Sequence, residues 1–61
     1  MNDYNVIVDL LINYLEIEKQ TNKTKPQKVE TILKKCSVVL PPHLLEQYYY
    51  FIIYFLDIYL I

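Results

Sequence analysis

Residues 48–61, YYYFIIYFLDIYLI, contain a single charged side chain, Asp57, and this run constrains the fold more than any other part of the chain. Apolar surface this dense has to be covered, since each methylene group buried is worth about 0.8 kcal/mol. Tyr, Phe and Ile are strand formers, which admits a strand over 48–55. From residue 43 onward, however, His43, Glu46, Gln47, Tyr50, Tyr54 and Asp57 fall on one stripe at helical spacing. The chain also contains no glycine, so hairpin turns, helix caps and phosphate loops that depend on glycine are closed to it. A helix over 43–60 follows, with an apolar arc of about 220°.

The N-terminal third repeats that pattern. Asn5, Asp9, Asn13, Glu16 and Gln20 are spaced by three or four residues and form a polar stripe of about 80° on a helix over 4–19. The remaining arc of about 240° is filled by Tyr4, Val6, Ile7, Val8, Leu10, Leu11, Ile12, Tyr14, Leu15 and Ile17. That is more than one neighbouring element covers. Asn2 or Asp3 can cap the first turn, where a carboxylate also suits the helix dipole.

Residues 20–25 form the one fully polar stretch and read as a loop. Thr24 and Gln27 fit a capping box, and Pro26 falls in the first turn, where its missing N–H is no loss. A second helix over 26–38 carries a conventional apolar stripe of Val29, Ile32, Leu33, Cys36, Val39 and Leu40, with Gln27, Lys28, Thr31, Lys34 and Lys35 outside. Pro41 and Pro42 stop it and can start the third helix, which makes 39–42 a stiff hinge. The expected fold class is all-α, a single three-helix domain of two long, broadly apolar helices and one amphipathic helix.

Sixty-one residues bury only about 60% of their unfolded surface, so such a domain is marginal alone. A single cysteine excludes an internal disulfide, and with a single histidine no Cys/His zinc cage can be assembled. Association is the remaining route to stability, and a helical homodimer is expected. The formal net charge of −1 conceals a basic middle, because all six basic residues are lysines between Lys19 and Lys35. The first residues lack a basic, signal-like start, so an intracellular, cytoplasmic location is expected.

Little here points to chemistry. His43 and Glu46 share a helix face, but no second histidine or nucleophile accompanies them. Cys36 lies on the apolar stripe and reads as a small hydrophobe, or as a cross-chain disulfide if it sat on a two-fold axis. Asp57 reads as a member of the polar stripe with Tyr50 and Tyr54; the sharper alternative pairs it with a lysine of another chain. No enzyme activity and no cofactor or metal are expected. The expected function is a non-enzymatic protein–protein interaction or regulatory module, an obligate homodimer or small subunit of a complex. Its interface would use helices 1 and 3 through Leu11, Tyr14, Leu15, Tyr48, Tyr49, Phe51, Ile52, Phe55 and Tyr59.

The alternative is a small dimeric nucleic-acid-binding protein in which Lys23, Lys25, Lys28, Lys34 and Lys35 contact phosphates. Against it, the chain has no arginine, the main bidentate reader of guanine, and its third helix is too apolar for a recognition helix. A membrane-associated C-terminal helix is weaker still, because the uncharged run from 48 to 56 is too short to span a bilayer.

Overall fold

In the computed structural model of the chain, which describes residues 3–60, the first helix points residues 7, 11 and 15 into one core. This helix, α1 (Asp3–Lys19), buries Ile7, Leu11 and Leu15 on a single line, as side chains four apart on a helix must fall. The second helix, α2 (Lys25–Val39), contributes Ile32 and Cys36, with Leu40 just beyond its end. A short helix, α3 (Pro42–Gln47), leads into α4 (Tyr49–Tyr59), which adds Ile52 and Leu56, and Leu60 follows it into the core. Val29, Leu33, Leu45, Tyr48, Phe51 and Phe55 pack around these residues. Among the described residues there is no strand, so the chain is all-helical, and residues 49–55 belong to α4.

The ends of the helices close without a left-handed residue, as a glycine-free chain requires; no described residue has positive φ. At the end of α1, the backbone N–H of Thr21 donates to the Glu18 carbonyl at 3.1 Å and its hydroxyl to the same oxygen at 2.8 Å. Before α2, the N–H of Thr24 donates to Gln27 Oε1 at 3.1 Å, which is the glutamine half of the anticipated capping box. Leu40, extended ahead of Pro41, still donates its N–H to the Cys36 carbonyl at 2.8 Å. Asn2 and Ile61, taken above as a possible cap and as the end of the apolar run, lie outside the described residues.

The single helix expected over 43–60 is two helices. Tyr48 separates them with φ −104° and ψ 11°, in the sparsely occupied bridge region. Its N–H still donates to the Leu44 carbonyl at 3.0 Å, and its carbonyl accepts from Ile52 at 2.9 Å, so the chain turns through one residue. No proline or glycine marks the position; packing explains it. The turn lets α3 lay Leu45 against the core while α4 lays Ile52 and Leu56 there. Val39 also departs from its expected place: Leu40 takes the core position one turn after Cys36, and Val39 is turned to solvent.

Candidate protein-interaction surface

The helices α1 and α4 run in the same direction along a shared groove, because Tyr4 meets Phe51 at one end while Ile12, Glu16 and Lys19 face Phe55 and Tyr59 at the other. A row of aromatic rings follows it. The ring centroids of Tyr4 and Phe51 are 5.2 Å apart, those of Phe51 and Phe55 5.7 Å, and those of Phe55 and Tyr59 4.6 Å. Residues 51, 55 and 59 are four apart, so α4 stacks them on one line, and spacings of 4.5–7 Å are those of favourable ring pairs. Beside this row lies an open cleft of about 340 Å³, lined by Val8, Ile12, Leu15, Glu16, Lys19, Phe55 and Tyr59. Ile12 is 42% exposed and Tyr59 51% exposed, and Tyr4 and Ile58 are also turned to solvent, so the apolar surface continues past the cleft.

The residues expected at an interface are divided by the structure. Leu11, Leu15 and Ile52 are core residues of this chain, and their burial leaves them little surface to offer a partner. Tyr14, Tyr48, Phe51 and Phe55 are half-buried against that core. Tyr49 and Tyr59 are exposed. Of these, Phe51, Phe55 and Tyr59 come together in the aromatic row. Tyr14 lies elsewhere, under the Lys35 ammonium, which stands 5.3 Å from its ring centroid. Val8 and Ile12 were present in the apolar arc of α1, but periodicity does not say which side of that arc meets α4.

The lysines expected at phosphates lie largely among carboxylates. Lys23 donates to Glu18 at 3.0 Å and to Thr31 Oγ1 at 3.3 Å, and Lys35 approaches the other Glu18 oxygen at 3.8 Å. Lys34 pairs with Glu30 at 3.1 Å, one helical turn away. Lys25 donates to Asp57 at 2.7 Å. Among the described residues, Lys28 is the member of that set without an ion pair. Asp57 therefore does meet a lysine of the basic segment, but within its own chain, and it stays 70% solvent-exposed as a stripe position should.

Glu18 escaped the sequence reading. It is 2% exposed; Lys23, from the loop, hydrogen-bonds one oxygen, and Lys35, from α2, faces the other at ion-pair distance. A signal was present: Glu18 lies off the polar stripe, one turn beyond Leu15 on the face that enters the core. Cys36 is fully buried, and desolvation pushes its thiol pKa up, so it is placed as a core residue and cannot reach another chain's thiol. His43 and Glu46 are both exposed. Among the described residues, no group of three His, Cys, Asp or Glu side chains could hold a metal ion, and no helix is long and apolar enough to cross a membrane.

These features define a class of small all-helical chain with an uncovered apolar groove. No family model, curated protein or solved structure matches the chain.

Proposed function

We propose that this chain is a non-enzymatic protein–protein interaction module, an obligate homodimer or small subunit of a complex, whose docking surface is the α1–α4 groove. The observation that carries the reading is the aromatic row of Tyr4, Phe51, Phe55 and Tyr59 beside a cleft whose walls include exposed Ile12. Rigid rings supply large contact area for little conformational entropy, and exposed apolar side chains grouped along one groove suit an interaction surface. The small core supports the same reading, because nine buried apolar side chains among the described residues leave a chain of this length with little stability to spare.

The nucleic-acid alternative has less support. Binding to phosphates draws its free energy from cations that release counterions, and Lys23, Lys25, Lys34 and Lys35 already face carboxylates. Thermal unfolding followed by circular dichroism at a series of protein concentrations tests the preferred reading. An association-stabilised fold melts at higher temperature as concentration rises, or fails to fold alone if the partner is a different protein. A cooperative melt independent of concentration, from a chain that sediments as a monomer, would count against it.

A further inference from the structure

Glu16 and Lys19 are the charged residues that line the α1–α4 cleft. They differ from most other charges around the bundle. Glu18, Glu30 and Asp57 have lysine partners within the chain, whereas among the described residues neither Glu16 nor Lys19 makes an ion pair. An acid and a base three residues apart, at the rim of an apolar cleft, make the patch its own electrostatic complement. A two-fold rotation lays each Glu16 against the other copy's Lys19, which is the relation an isologous contact demands: residue i meets j, and j meets i.

The area also suits a second copy. A standard interface buries about 800 Å² per partner, and this chain exposes 4370 Å² in all, so roughly a fifth of its surface is required. The molecule measures 33 × 18 × 17 Å, so one long side, about 600 Å² in projection, is of the same order as the required area. The groove brings Tyr4, Ile12, Phe55 and Tyr59 together.

We infer that the occupant of this face is a second copy of the chain, docked about a two-fold axis beside the cleft, with Glu16 of each copy paired to Lys19 of the other. The inference rests on the interaction-module reading above and adds the partner and the register. The unpaired charges then sit at the rim of an apolar contact, where opposite charges select the partner and like charges reject it.

Charge exchange tests it. In the single variants Glu16→Lys and Lys19→Glu, both symmetry-related pairs become repulsive, and the dimer dissociation constant measured by sedimentation equilibrium rises about tenfold in each. An equimolar mixture of the two variant chains recovers wild-type affinity as a mixed dimer, and so does the double variant E16K/K19E. Both positions are exposed, and circular dichroism of each variant confirms that a loss is not unfolding. A wild-type dimer whose affinity neither single change alters, or whose weakened variants do not recover on mixing, overturns this pairing and leaves the module reading intact. A wild-type chain that fails to fold alone and does not self-associate overturns the second copy as occupant. A wild-type chain that is a well-folded monomer overturns the module reading itself.

Discussion

Glu18 shows how one side chain can hold three segments in place. Its carboxylate is buried at the end of α1, Lys23 reaches it from the loop, and Lys35 reaches it from α2. Desolvating a carboxylate is expensive unless it is paired, and here Lys23 hydrogen-bonds one oxygen while the Lys35 ammonium faces the other at 3.8 Å, the two lysines keeping 40% and 37% of their own side-chain surface in water. Removing the carboxylate strands no buried positive charge, because both lysines can relax outward. Glu18→Ala is therefore expected to lower stability by about 1–2 kcal/mol in urea denaturation, below the value for a fully enclosed pair. The difference from wild type should shrink in high salt. Cys36 makes a second test. Burial raises its thiol pKa, so the folded chain holds the proton at pH values where the unfolded chain releases it. Its contribution to stability is intact below the unfolded thiol pKa and is lost as pH rises from there through the raised folded value. Comparing urea midpoints of wild type and Cys36→Ala across that alkaline range should show the steeper fall in wild type. In the native state a thiol reagent should label Cys36 only as fast as the chain opens.

At the scale of the element, α4 has two different faces. Ile52 and Leu56 are fully enclosed, while Tyr50 on the same helix is 84% exposed. Truncating Ile52 or Leu56 to alanine should cost about 2–5 kcal/mol, enough to unfold a domain this small, whereas Tyr50→Ala should change stability by less than about 0.5 kcal/mol. Circular dichroism of the three variants reads the contrast directly. The polar stripes of Asn5, Asp9 and Asn13 and of Tyr50, Tyr54 and Asp57 made the helices legible in the sequence, and Thr24, Gln27 and Pro26 marked where α2 begins. The break at Tyr48 was not legible. Local chemistry at 47–49 offers a helix no obstacle of the proline or glycine kind, and the turn follows from where α2 and the core stand, which no local pattern encodes. The same holds for Leu11, Leu15 and Ile52: periodicity put them on apolar arcs wide enough for two neighbours, but only the fold decides which part of an arc is spent on the chain's own core.

The molecule is a thin helical layer around a core to which the described residues contribute nine apolar side chains, with an aromatic groove left open between its first and last helices. On the reading proposed above, the stability that a chain of 61 residues lacks internally is supplied by covering this groove. On that reading fold and function both depend on the state of association. Sedimentation equilibrium of the full chain across the micromolar range, with helix content recorded on the same samples, measures it most directly. The account predicts a helical species at the mass of two chains, and a loss of helix on dilution as that mass falls. A fully helical species holding the 7.4 kDa mass of one chain at every concentration would contradict it.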